Sequence, residues 1–188
     1  NINKAPTVGH IWRYAGLDPT VTWQGRVKAE ALMKALKEQY GNASLPEMVE
    51  IAARKVNRKS ENYYAYLAAS DFRKEQTCSI ATLTKWLAMP PWNGQLKTLC
   101  WKIGESWVKH AGSPKCYYGH FYLEFKQKEI ERNEAGGNAE TAKLRVNTVG
   151  KGTEAREHYE AGRLPPAQIH ARAKRKATKL FLAHMHGE

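Results

Sequence analysis

Cysteine is scarce in this sequence, and the few cysteines lack the spacing that its usual structural roles require. Cys78, Cys100 and Cys116 are the only three among 188 residues, and no two of them form a CxxC motif. An odd number of cysteines without that spacing argues against a disulfide framework and against a zinc knuckle. We therefore predict reduced thiols in a cytosolic protein.

Long hydrophobic runs are also missing. No apolar segment approaches the roughly 20 residues that are needed to cross a bilayer, and no segment has the pattern of a secretory signal peptide. We accordingly expect no membrane partner. The chain is nevertheless 42% hydrophobic and 10% aromatic, which is more apolar surface than a disordered chain carries.

Acidic residues are few relative to basic ones. The chain has 30 lysines and arginines against 18 aspartates and glutamates, which gives a formal net charge of +12 and a pI near 9.6. Such an excess favours a polyanionic partner, which could be DNA, RNA or an anionic membrane surface, and of these we expect DNA or RNA.

Alternation of apolar and polar residues, the mark of a half-buried strand, is almost absent. Apolar residues instead recur every three or four positions, which predicts an all-α, multi-helix fold. Ser44 with Glu47 and Ser79 are predicted to begin helices. Since Pro90 and Pro91 form a sharp boundary, we predict a helical core from residues 1–26 and 91–188, with an inserted helical lobe over residues 27–90. In the core, the recurrence of Leu96, Leu99, Cys100, Ile103 and Trp107 predicts a buried helix face.

The last predicted helix has the most distinctive charge pattern. Between residues 163 and 179 there are six cations and no acidic residue, and these are Arg163, Arg172, Lys174, Arg175, Lys176 and Lys179. At 100° per residue, one helix face carries four of them, which are Arg172, Arg175, Lys176 and Lys179. Such a row of unopposed cations releases counterions on meeting phosphates, so we predict a nucleic-acid-binding helix. The alternative is a solvated basic face without a ligand.

Other charged segments are weaker candidates for contacts. Arg58 and Lys59 belong to a basic group that precedes a tyrosine-rich segment, where the tyrosines could stack on bases or lie in the core. Arg13 and Lys102 are secondary candidates for phosphate contact. The segment 126–134 is charged on every side, so it is predicted either to project into solvent or to pair with another helix, and it could contact a protein partner.

Motifs for catalysis, metal binding and cofactor binding are missing. None of the seven histidines lies in an HExxH motif or in an HxE motif followed by CxxC, and no Walker or GxGxxG loop is present. We therefore predict no catalytic residue, no metal ligand and no cofactor, and the sequence favours a binding protein over an enzyme.

Residues 11–19, IWRYAGLDP, resemble the signature of the C-terminal, helix-hairpin-helix-like domain of DEDD-type, bridge-RNA-guided insertion-sequence transposases. Residues 92–102 resemble a second helix of that domain. Segments 5–12, 99–106 and 164–173 are similar to uncharacterised phage and plasmid proteins labelled as relatives of those transposases. The resemblance implies DNA binding, a mobile-element or phage origin, and a location in the cytoplasm of a prokaryotic cell or a phage-infected host.

The chain departs from that family in three ways. Residues 23–25, WQG, stand where the transposases carry their nucleophilic serines, and residues 27–89 are additional. The acidic, RNase-H-like domain that supplies the metal-binding carboxylates of the transposases has no counterpart in these residues. The leading hypothesis is therefore a DNA-binding protein without its own catalytic site. One alternative is a recombinase or nuclease component whose catalytic residues lie upstream or on a partner chain. Another is a phage-type interaction protein that binds a host protein or ribonucleoprotein.

Overall fold

The computed structural model describes residues 5–21, 23, 25–70 and 77–187. Within those residues the chain is all-α, as predicted, with ten α-helices, a 3₁₀ turn at Val146–Thr148 and no β-strand. The helices are α1 (Val8–Tyr14), α2 (Gly25–Gln39), α3 (Leu45–Lys55), α4 (Glu61–Ser70), α5 (Ile80–Ala88), α6 (Gly94–Lys109), α7 (Tyr117–Glu134), α8 (Ala139–Arg145), α9 (Glu154–Glu160) and α10 (Pro166–Gly187).

The chain divides into two compact units. One unit is continuous and spans Pro19–Asn93, so it contains α2 to α5. The other combines Asn1–Asp18 with Gly94–Glu188 and contains α1 and α6 to α10. We call them the α2–α5 unit and the α10 unit. The predicted lobe, residues 27–90, is shorter than this unit at both ends, since the α2–α5 unit begins at Pro19 and ends at Asn93.

The helix starts of the α2–α5 unit follow the predicted capping residues. The Glu47 carboxylate accepts hydrogen bonds from the backbone N–H and the hydroxyl of Ser44, at 2.8 and 2.9 Å. These bonds lower the pKa of Glu47. The Ser79 hydroxyl accepts a hydrogen bond from the Thr82 N–H at 3.2 Å and begins α5. Both predicted caps are therefore confirmed.

The core of the α2–α5 unit is apolar and contains one of the tyrosines from the tyrosine-rich segment. Tyr63 is fully buried, and its ring packs edge-on against Trp86 at a centroid distance of 5.6 Å. Burial raises the pKa of Tyr63 to about 12. Tyr64, by contrast, is 45% exposed, so the tyrosines of α4 are divided between core and surface.

In the α10 unit, the final helix is the central element. It packs most extensively against α7 and also contacts α6 and α1. Its apolar side buries Ile169, Ala173, Ala177 and Leu182. The helix begins at Pro166, and proline suits the first turn because its backbone nitrogen needs no hydrogen-bond partner there.

Two glycines permit the close approaches on which this packing depends. A Cβ atom on Gly104 of α6 would lie 2.9 Å from the Lys174 side chain on α10. A Cβ atom on Gly119 of α7 would lie 2.8 Å from the Cα of Ala111. The absence of a side chain lets α6 approach α10 at Gly104 and lets α7 approach the turn after α6 at Gly119.

The predicted inward face of α6 is wrong at one position. Cys100 is buried, and Leu96, Ile103 and Trp107 are partly buried, but Leu99 is 53% exposed. The inward face is centred on Cys100 and Gly104, and consecutive residues of a helix are turned by 100°. Leu99 therefore lies at the edge of the α6 face and contacts solvent.

None of the helices in the described residues is long and apolar enough to span a membrane.

Candidate nucleic-acid interface

Four of the five lysines and arginines of α10 lie on one face of the helix but differ in their surroundings. Arg175 and Lys176 follow Arg172 by three and four residues, and Lys179 follows Arg175 by four, so these four cations share one face. None of them is fully buried. What separates them is whether a carboxylate from a neighbouring helix lies beside them.

A buried glutamate of α7 pairs with two of these cations. Glu129 is 2% exposed, and its carboxylate lies 3.4 Å from Nη1 of Arg172 and 2.6 Å from Nζ of Lys176. Burial raises the pKa of Glu129, but the hydrogen bonds and charges of Lys176 and Arg172 outweigh it and hold the pKa below its usual value. The expectation of unopposed charge is wrong for Arg172 and Lys176, because α7 supplies their counter-ion.

Arg172 also belongs to a buried polar network that fixes the start of α10. Its guanidinium donates to Oδ1 of Asn138 at 2.7 Å, and Nδ2 of Asn138 donates to Oδ1 of Asn133 at 3.1 Å. Asn133 then accepts from the backbone N–H of Leu164 and donates to its carbonyl, at 2.8 and 3.0 Å. Glu129, Asn133 and Asn138 are buried, and the network connects α7 to the segment before α10. The hydrogen bonds of Arg172 therefore stabilise the fold.

Lys174 is the third cation with a carboxylate partner. Its ammonium forms an ion pair with Glu105 of α6 and lies 5.4 Å from the ring centroid of Trp101. The hydrogen bond from Lys174 is the largest cause of a lowered pKa at Glu105. The aliphatic stem of Lys174 packs over Gly104, which has no side chain to displace it. The expectation of unopposed charge is therefore also wrong for Lys174.

Of the remaining two cations of this face, Arg175 lies near Lys97 of α6 and near Lys179 of its own helix. Burial lowers the pKa of Lys97, and the positive charge of Arg175 lowers it further. Burial also lowers the pKa of Lys179, which Asp18 raises and Arg175 lowers. Arg175 is exposed and forms no salt bridge with any carboxylate in the part of the chain that the structure describes. We call Lys97, Arg175 and Lys179 the α6–α10 basic cluster.

The aromatic ring of Trp12 positions Lys179 within this cluster. The indole N–H donates to the backbone carbonyl of Lys179 at 3.0 Å, and the ammonium of Lys179 lies 4.7 Å from the indole centroid. An ammonium over the face of an indole is attracted by the ring quadrupole. The contact orders the side chain of Lys179 without neutralising its charge.

Three other predicted contact residues are exposed in the α10 unit. Arg13 is on α1, Lys102 is on α6, and Arg163 is in the turn before α10. Arg163 lines a cavity of about 250 Å³ together with Lys126 and His158.

The two predicted contact residues of the α2–α5 unit have different environments. Arg58 donates to the backbone carbonyls of Trp86, at 2.8 Å, and Met89, and its guanidinium carbon lies 5.1 Å from the Trp86 ring centroid. Burial lowers the pKa of Arg58. Its guanidinium therefore satisfies carbonyls at the end of α5. Lys59 is exposed.

The segment 126–134 pairs with another helix, which is one of the two predicted outcomes. Glu129 and Asn133 are buried and face α10, whereas Glu131 and Glu134 are exposed. From the sequence we did not identify Glu129 of this segment as a counter-ion for the cations of α10. The sequence did contain a signal for this burial. Residues 129 and 133 follow the buried Tyr122 by seven and eleven positions, which places them on the same face of α7.

In the residues that the structure describes, no three or more histidine, cysteine, aspartate or glutamate side chains are placed to hold a metal ion. The three cysteines are free thiols, with Cys100 buried and Cys78 exposed. Burial raises the pKa of the Cys100 thiol, so its neutral form is favoured.

Comparisons with protein families, with curated proteins and with solved structures found no match to this chain.

Proposed function

We propose that this chain is a nucleic-acid-binding protein whose α10 unit holds the phosphate backbone with the α6–α10 basic cluster. The observation that supports the proposal is that Arg175 is exposed, lies near Lys97 and Lys179, and itself forms no salt bridge with a carboxylate among the described residues. The resemblance of residues 11–19 to insertion-sequence transposases leads us to propose DNA as the nucleic acid and a mobile element or phage as the origin. The proposed role is binding, without a catalytic site in this chain.

The physical basis is the cost of holding like charges together. Burial lowers the pKa of Lys97, and repulsion from the positive charge of Arg175 lowers it further. A phosphate beside both groups would attract both cations, which offsets their mutual repulsion, and it would accept charge-assisted hydrogen bonds from them. The three cations that already face carboxylates, Arg172, Lys174 and Lys176, would gain less from a phosphate.

The expected salt dependence follows from the number of cations in the cluster. Each phosphate neutralised on duplex DNA contributes about −0.9 to the slope of log affinity against log salt. Three contacts therefore give a slope of about −2.7. Raising the salt from about 50 to 200 mM would weaken binding roughly 40-fold through this cluster alone.

A pair of variants tests the assignment of the site. Lys97→Gln with Arg175→Gln removes two cations of the cluster, and Arg145→Gln with Lys151→Gln removes one arginine and one lysine that are exposed elsewhere in the same unit. Both double variants lose the same charge. Affinity for a duplex oligonucleotide would be measured by fluorescence anisotropy at several salt concentrations.

We expect the first double variant to flatten the salt slope by about two, because about two phosphate contacts are lost. The Arg145 and Lys151 variant should keep the wild-type slope. Equal slopes for the two double variants would show that the positive charge acts diffusely, and this outcome would contradict the assignment of the cluster. Circular dichroism of both variants would establish that the helices are intact.

A further inference from the structure

An exposed tryptophan lies beside the α6–α10 basic cluster and is not used by the phosphate contacts. Trp101 of α6 is 58% exposed. We propose that Trp101 is a stacking platform for one unpaired base, so that this surface prefers single-stranded to duplex DNA. The inference rests on the proposed function, since the cluster would hold the backbone that carries this base.

One side of the indole is already held by the protein. The ammonium of Lys174 lies 5.4 Å from the ring centroid, and Lys174 is in turn fixed by the ion pair with Glu105 and by the packing of its stem over Gly104. These contacts orient the indole in the absence of any ligand. They also occupy one face of the ring, so the exposed surface offers room for a single stacked base.

The cluster lies at a suitable position for the phosphates of the same strand. Lys97 precedes Trp101 by four residues on α6, and residues with this spacing are neighbours on a helix surface. Arg175 is close enough to Lys97 to lower its pKa. An aromatic ring beside lysine and arginine is the combination by which proteins bind single strands, where the ring stacks on the base and the cations track the backbone.

Duplex DNA would not present the same ligand. Its bases are stacked on one another, and a side chain reaches the face of a base only after the base has been unpaired or flipped out, which is unfavourable. The phosphates remain available to the cluster in either form. Stacking on Trp101 would therefore add affinity for single strands alone.

The test compares two forms of DNA with three variants of the whole chain. The probes are a single-stranded oligonucleotide and a duplex with the same number of phosphates. The variants are Trp101→Ala, Trp101→Phe and Tyr117→Ala, where Tyr117 is an aromatic residue on α7 with a similar exposure of 59%. Affinities would be measured at one fixed salt concentration, with thermal unfolding of each variant as a check on folding.

Trp101→Ala should weaken single-strand binding between about five- and 150-fold, the range measured for loss of one base–aromatic stack. Duplex binding should change less than twofold. Trp101→Phe should keep part of the single-strand affinity, since a phenyl ring still stacks, and Tyr117→Ala should bind both probes like the wild type.

Two results would overturn the stacking role and leave the proposed function intact. One is an unchanged single-strand affinity in Trp101→Ala while the Lys97 and Arg175 variant is weakened. The other is an equal loss on both probes, which would indicate that Trp101 supports the fold or contacts the backbone. If the wild-type chain binds neither probe, the proposed function and the stacking role both fail.

Discussion

Replacing Glu129 with glutamine probes the buried ion-pair network on which the packing of α7 against α10 depends. Glutamine has nearly the same volume and can still accept hydrogen bonds, so the change creates no cavity. It removes the negative charge that lies 2.6 Å from Nζ of Lys176 and 3.4 Å from Nη1 of Arg172. The variant therefore measures the electrostatic part of this interface.

The expected loss can be bounded from the exposure of the three groups. Breaking a fully buried ion pair by removing one partner costs about 3–5 kcal/mol. Here the glutamate side chain is 3% exposed, but those of Arg172 and Lys176 are 28% and 48% exposed and recover water when the pair is lost. We therefore expect a smaller loss of about 1–2 kcal/mol in the free energy of unfolding of the α10 unit.

The assay is thermal unfolding followed by calorimetry at pH 7. A loss of that size corresponds to a decrease in Tm of about 2–8 °C. Glu124→Gln is the matched control, because Glu124 also lies on α7 and pairs with Lys128, but both side chains are at least 50% exposed. An exposed pair of this kind contributes about 0.5 kcal/mol or less, so the control should unfold close to the wild type.

The pH dependence of the difference provides a second check. Because the pKa of Glu129 is lowered in the folded protein, its stabilising effect is complete above the unfolded-state pKa of about 4.3. The effect is lost as the pH falls through the lower, folded-state value. The difference between wild type and variant should thus vanish in acid, where Glu129 is protonated and resembles glutamine. Equal Tm values at pH 7, or a difference that persists in acid, would refute this reasoning.

Three further predictions concern Glu129, Gly119 and Asn133 of the α10 unit. Glu129→Gln should tighten nucleic-acid binding and steepen its salt slope by up to about two, because two cations lose their counter-ion; an unchanged slope in a salt titration would show that they do not face the ligand. Gly119→Ala should lower the free energy of unfolding by roughly 1–3 kcal/mol, because its Cβ would lie 2.8 Å from a backbone Cα atom. Gly112→Ala, with no neighbour within 4 Å of the new Cβ, is its control in denaturant titrations, and similar midpoints for the two would contradict the steric argument. Asn133→Ala should cost about 2–3 kcal/mol, because the buried backbone N–H and carbonyl of Leu164 lose their partner; calorimetry showing a loss below about 0.5 kcal/mol would mean that water replaces it.

Local features of the fold were predictable from the sequence because their causes are local. The caps at Ser44 and Ser79 depend on residues only three positions apart. The end of α1 is another example, since Gly16 has a φ of 66° and lets the Leu17 N–H donate to the Trp12 carbonyl at 2.8 Å. Such motifs require no knowledge of the rest of the chain.

The pairing of the α10 cations with carboxylates was not predictable in the same way. Its sequence has no acidic residue between positions 163 and 179, but Glu105 and Glu129 come from α6 and α7, at sequence separations of 69 and 47 residues from Lys174 and Lys176. Counting charges along one helix reveals only partners three or four residues away. The exposure of Leu99 has a similar origin, because the inward side of α6 depends on contacts distant in sequence, such as that of Gly104 with Lys174 and Thr178 of α10.

The most direct test of the phosphate-binding role is the salt dependence of wild-type affinity for a duplex oligonucleotide. The α6–α10 basic cluster predicts a linear plot of log affinity against log salt with a slope of about −2.7 or steeper, since other exposed cations can only add contacts. A slope near zero would contradict phosphate binding by this surface, whatever affinity is observed.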